Sequence, residues 1–104
     1  GEPYKVELIK DLPSDIQGGI NFSPDGKYLV YFSGNAICIT DIHTQQSYKL
    51  YGDVEPYGAV CWSHNGKWLV YNQYVQHADG GRWLQIFAIK LDKHLTTYLH
   101  QHKI

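Results

Sequence analysis

The chain has 104 residues, about the size of one small domain. Its net charge of −1 gives no basic footprint for nucleic acid and no acidic tail. No apolar run approaches the ~20 residues that carry a helix across a bilayer, and no basic stretch followed by an apolar one opens the chain as a secretory leader would. Aromatic residues make up 14% and charged residues 18%, which suits packed sheets and not disorder. With no Met, even at position 1, the chain reads as a processed product or a part of something longer.

In chain order, residues 4–9 alternate like an outer strand, and a polar linker follows at 11–15. Residues 19–22 predict a short strand. Ser23-Pro24-Asp25-Gly26 predicts a turn, because Pro fixes φ, Asp bonds its own backbone and Gly takes conformations other residues resist. Strands follow at 28–33, 36–42 and 47–51. The first two are joined at Gly34-Asn35 and the last two across 43–46. In the third strand, Ile37, Ile39 and Asp41 share one face and Cys38, Thr40 and Ile42 the other. The same plan returns with strands at 59–62, 68–74, 83–91 and 95–100.

The return is literal. FSPDGKYLVY at 22–31 recurs as WSHNGKWLVY at 62–71, an offset of 40. Beyond Tyr31 and Tyr71 the offset grows to 49, matching Ile42 with Leu91 and Leu50 with Leu99. That places a nine-residue insertion within residues 73–82. Four-stranded meanders at this period predict blades of a β-propeller: an all-β fold with antiparallel four-stranded blades at about 18–51 and 57–100. Residues 4–9 add one extra N-terminal strand, the outer strand of a preceding or partner blade. The whole chain is one propeller segment with no internal domain boundary.

These residues resemble the WD40-like repeats of TolB-type propellers, found also in the propeller domains of prolyl-oligopeptidase and dipeptidyl-peptidase proteins. The family pattern is an aromatic, Ser-Pro-Asp-Gly-Lys, an aromatic or polar residue, two aliphatics and an aromatic. Residues 22–31 match throughout, and residues 62–71 depart at Trp62, His64 and Asn65. Asp41 matches the Asp that commonly ends the third strand, where the second unit has Lys90. The Gly-His and Trp-Asp signatures of true WD repeats are missing. The resemblance implies a rigid, non-catalytic interaction or sensing platform, with a bacterial, periplasmic parent such as the sensor part of a membrane-bound regulator. It implies as an alternative a propeller that gates a separate prolyl-oligopeptidase-like serine hydrolase domain.

Two blades leave an open face at each end, and closed propellers use about four to eight. The expectation is therefore either further blades of a longer chain or a ring of several copies, fastened by residues 4–9 of one copy joining a neighbour's blade. A protein or peptide partner is expected, with no nucleic acid contact and no membrane insertion.

The insertion holds the candidate binding residues Tyr74, His77, Asp79, Arg82 and Trp83, a mix of aromatic anchors and charge on a loop that joins two strands. His77 and Asp79 are too few for a zinc site, which takes three or four ligands, so no metal and no cofactor is expected. Ser23 and Ser63 sit in turns without a Gly-x-Ser-x-Gly elbow, and no catalytic set emerges. Asp25 recurs as Asn65, which marks it as turn chemistry. Cys38 and Cys61 fall in separate apolar runs and read as buried free thiols. Gly19, Asn21, Ala59 and Cys61 would lie nearest a propeller axis, where small residues relieve crowding.

Overall fold

A computed structural model describes residues 3–12, 16–52, 54, 56–76, 78–91 and 95–101. The fold is carried by two antiparallel sheets. The first holds β1 (Ile16–Phe22), β2 (Tyr28–Ser33), β3 (Ala36–Asp41) and β4 (Ser47–Tyr51), in that order. The second holds β5 (Pro56–Trp62), β6 (Trp68–Gln76) and β7 (Arg82–Lys90), and a short helix α1 (Leu95–Gln101) follows. The strands at 28–33 and 47–51 have the bounds expected from the sequence. The first strand of each sheet begins three residues earlier than expected.

The two SxxGK turns are built alike. Ser23 Oγ donates to Asp25 Oδ1 at 2.6 Å and accepts from Tyr28 N–H at 3.0 Å, while Asp25 Oδ1 accepts from Lys27 N–H at 3.0 Å. Ser63 and Asn65 repeat these bonds at 2.7, 3.1 and 2.9 Å, with Trp68 and Lys67 as partners. The first strands also share an irregularity. Gly18 and Gly58 take φ of +73° and +77° where the register to β2 and β6 shifts, a bulge geometry that glycine adopts without strain.

The sheets pack face to face. Tyr28, Val30, Phe32, Ile37, Ile39 and Tyr48 of the first meet Val60, Trp62, Leu69, Tyr71, Phe87 and Ile89 of the second. Tyr28 stacks on Trp62, and Phe32 meets Tyr71 edge-on, each with ring centroids 6.3 Å apart. β1 lies against β5 so closely that a Cβ on Gly18 would sit 1.8 Å from the Gly58 carbonyl oxygen. Asn21 Nδ2 donates to the Val60 carbonyl at 2.8 Å across the same approach. Val30 corresponds to Val70 and Leu69 to Leu29 at the 40-residue offset. The sheets are therefore stacked in one sense: one face of the first unit covers the opposite face of the second.

Two expected elements differ. Residues 95–100, expected as a fourth strand, lie in α1. The run Leu95, Tyr98, Leu99 fits a helical period as well as an alternating one, and the helical form lets Leu95 and Leu99 both reach the core while Tyr98 Oη donates to the Leu50 carbonyl at 3.1 Å. The second sheet accordingly has three strands and not four. Residues 4–9, expected as an extra strand, pair with neither sheet. Among the described strands β4 pairs with β3 alone, and residues 4–9 do not add to its free edge. That segment is held by side-chain bonds: Gln45 Nε2 donates to the Ile9 carbonyl at 2.8 Å, and Lys10 Nζ donates to the Gln45 carbonyl and to Ser47 Oγ.

Candidate functional site

The insertion lengthens a hairpin. β6 and β7 have nine residues each where β2 and β3 have six, and the two-residue turn Gly34-Asn35 gives way to a longer connection that includes Asp79 and Gly81. Of the five candidate binding residues, Tyr74, Arg82 and Trp83 therefore lie in strands, Asp79 lies in the turn, and His77 is outside the described residues. Asp79 Oδ1 accepts from Gly81 N–H at 2.9 Å and so closes the turn. The Arg82 guanidinium sits 4.6 Å from the Tyr74 ring centroid, a cation–π pair on one face of the hairpin. Trp83 pairs with Val75 and therefore faces the other side, 55% exposed. The hairpin thus presents two separate aromatic surfaces, not one converging cluster.

Sequence reasoning expected an open face at each end of a two-unit stack, and the outward side of the second sheet is one. The register puts Trp68 with Lys90, Val70 with Ala88 and Cys61, and Ile86 with Asn72 on one side. That side is open. Val70 is 37% exposed where its counterpart Val30 is fully buried, and Ile86 is 76% exposed where Ile37 is fully buried. Cys61, expected to be buried, is exposed for the same reason, while Cys38 is buried as expected; both are free thiols. At the other end of the stack the outer side of the first sheet is largely covered: Leu29, Tyr31, Cys38 and Thr40 are buried, while Ile20, at 44%, and Phe22, at 57%, are exposed. The signal in the sequence is the offset itself, which matches Val30 with Val70 and Ile37 with Ile86 across a stack in which only the first of each pair lies in the shared core.

A cavity of about 390 Å³ lies beside β7 and is mainly apolar, lined by Leu50, Tyr51, Ile89, Leu91, Leu95 and Tyr98 with Lys90 at its margin. It lies between the end of β4, the end of β7 and α1. A smaller cavity of about 190 Å³ is lined by Tyr28, Trp62, Asp25 and Asn65 among others. The Trp62 indole N–H is buried without a hydrogen-bond partner, the one such side-chain atom among the described residues.

The electrostatics of these surfaces are mild. Bonds from the Ser23 hydroxyl and then the Lys27 amide hold the Asp25 carboxyl below its usual range. Burial pushes the Tyr71 and Tyr48 hydroxyls up. Among the described residues no three His, Cys, Asp or Glu side chains gather where they could hold a metal ion. Both turn serines are engaged by their own turns, as donors to Asp25 and Asn65 and as acceptors from backbone N–H groups. No protein-family model matches the chain, and no curated protein or solved structure does either.

Proposed function

We propose that the two sheets are consecutive blades of a β-propeller, and that the chain serves as a non-catalytic platform for protein or peptide contact. The observation that carries this reading is the sense of stacking. Faces related by the 40-residue offset lie on opposite sides of the interface, so the same operation can be applied again at either end. The close glycine approach between β1 and β5 supports a crowded inner edge. The engaged hydroxyls of Ser23 and Ser63 support the absence of a nucleophile in the turns. The TolB-type resemblance of residues 22–31 adds a bacterial, periplasmic setting to the proposal. In this reading the lengthened β6–β7 hairpin is the contact surface, with Arg82 on Tyr74 and the exposed Trp83 as anchors.

Selection of displayed peptides against the folded chain tests it. Peptides that bind, and that lose about tenfold or more in affinity when Tyr74, Arg82 and Trp83 are replaced by Ala, are the expected result. Absence of any binder, or binders indifferent to all three replacements, would overturn the assignment of the hairpin as the platform.

A further inference from the structure

The repeat sets two like turns side by side. A Cβ on Gly66 would lie 3.9 Å from Pro24 Cδ, so the SxxGK turn of one unit rests against that of the other. The cavity of about 190 Å³ lies here, with Asp25 and Asn65 as its polar part and Tyr28, Trp62 and Leu95 as its apolar part. Its walls come from both units, and Tyr28 stacks on Trp62 across the interface the units share. Asp25 and Asn65 are both exposed, so solvent reaches the cavity.

Each turn uses only one end of its side chain. Asp25 Oδ1 accepts from the Ser23 hydroxyl and the Lys27 N–H, and Asn65 Oδ1 accepts from the Ser63 hydroxyl and the Lys67 N–H. A backbone N–H needs an acceptor, so the Asn65 amide is fixed with its oxygen in the turn and its Nδ2 outside it. Asp25 Oδ2 and Asn65 Nδ2 have no hydrogen-bond partner among the described residues, and the Asp25 carboxylate makes no ion pair with any of them. The bonds from Ser23 and Lys27 also keep that carboxyl ionised at neutral pH. Identical turns would have set two like groups at the cavity. Here one unit supplies an anionic acceptor and the other a neutral donor.

We propose that this cavity binds an α-ammonium group together with its neighbouring carbonyl, as a free amino-acid derivative or the N-terminus of a peptide presents them. The ammonium donates to Asp25 Oδ2, the carbonyl oxygen accepts from Asn65 Nδ2, and the attached side chain lies against Tyr28, Trp62 and Leu95. An ammonium is a compact point charge and suits a carboxylate with one oxygen already engaged, whereas a guanidinium takes both oxygens at once. Aromatic walls attract a cation. The volume falls below the ~300 Å³ at which sites for drug-sized ligands begin, which leaves room for about one residue. The site is separate from the β6–β7 hairpin, and it stands whether or not the two sheets are blades of a propeller.

Asp25→Asn is the decisive variant, because Asn65 shows that an Asn closes this turn with the same bonds and the fold is kept. The probe is leucinamide, titrated into the whole chain and followed by NMR. The expected result is a saturable shift confined to the two turns, the Tyr28 ring and the Trp62 indole, with affinity about tenfold or more weaker in Asp25→Asn. N-acetylleucinamide, which has no ammonium, is expected not to bind. Isopentylamine, which has no carbonyl, is expected to bind about threefold or more weakly than leucinamide. The peptide Leu-Ala-Ala separates the two sources: tighter binding than leucinamide assigns the site to a peptide N-terminus, and equal or weaker binding assigns it to a free amino compound. No saturable shift with leucinamide, or equal affinity in Asp25→Asn, overturns the proposal. So does N-acetylleucinamide or isopentylamine binding as tightly as leucinamide.

Discussion

The two sheets share their turns and differ in their surroundings. Ser23-Asp25 and Ser63-Asn65 make the same three bonds to within 0.1 Å, yet Val30 is buried and Val70 is open, and Ile37 is buried where Ile86 stands in solvent. Local chemistry is copied with the sequence, because a turn depends on four or five adjacent residues. Burial is copied at some positions, as at Tyr31 and Tyr71, and not at others, because it depends on which neighbour lies against each face. The comparison separates what a residue type does by itself from what the stack does with it.

The largest expected effect comes from the glycine pair. Gly18→Ala adds a Cβ 1.8 Å from the Gly58 carbonyl at positive φ, so both strain and collision act. A loss of about 3 kcal/mol or more in urea unfolding is expected. Gly58→Ala meets nothing within 4 Å and carries the conformational cost alone, about 1–2 kcal/mol. Equal losses at the two positions would break the comparison.

Next in size are the isoleucines. Ile37→Ala should cost about 2–5 kcal/mol, as large-to-small changes in a packed core do. Ile86→Ala, at the matching position, should change the stability of the single chain by no more than about 0.5 kcal/mol. A similar cost at both would mean that the open face is covered within one chain.

A smaller effect is expected at the hydroxyl row of the first sheet. Tyr31 Oη, Thr40 Oγ1 and Ser47 Oγ are joined at 2.8 and 2.9 Å, and Lys10 Nζ donates to Ser47 at 2.8 Å. Thr40 is fully buried, so Thr40→Val should cost about 1–3 kcal/mol by leaving the Tyr31 hydroxyl short of a partner. The matching residue in the second sheet is Ile89, which has no hydroxyl and packs against the core between the sheets.

The smallest effect is one of pH. The folded Asp25 carboxyl titrates below its ordinary value of 3.8, so its contribution is present above that value and is lost as the pH falls through the lower, folded one. Asn65 does not titrate. Acid titration followed by NMR should therefore shift the Lys27 amide below about pH 3.8 and leave the Lys67 amide in place. Movement of both amides together would assign the change to global unfolding and not to the turn.

Much of this was legible in the sequence. The SxxGK turns, the hairpin at Gly34-Asn35 and the strand at 28–33 follow from residues a few positions apart, where turn chemistry and alternation decide the outcome. Leu95-Thr96-Thr97-Tyr98-Leu99 satisfied two periods at once, and packing of Leu95 and Leu99 together settled it as a helix. The early start of β1 was hidden because Gly18 carries no side chain to show an alternation, while the structure uses it for a bulge and a close approach. Of the candidate site, the insertion was visible as a change of offset. Its form as a longer strand pair, with Trp83 on the face opposite Arg82, was set by the β6–β7 register. The exposure of Cys61 could not be read from its own apolar run, because it depends on what lies against that face of the sheet.

The sense in which the sheets stack is the claim on which the rest depends. Nuclear Overhauser contacts between aromatic side chains measure it directly. The account predicts contacts from Tyr28 to Trp62 and from Phe32 to Tyr71, which join opposite faces of the two units. Contacts from Val30 to Val70, or from Tyr28 to Trp68, would place like faces together and contradict it.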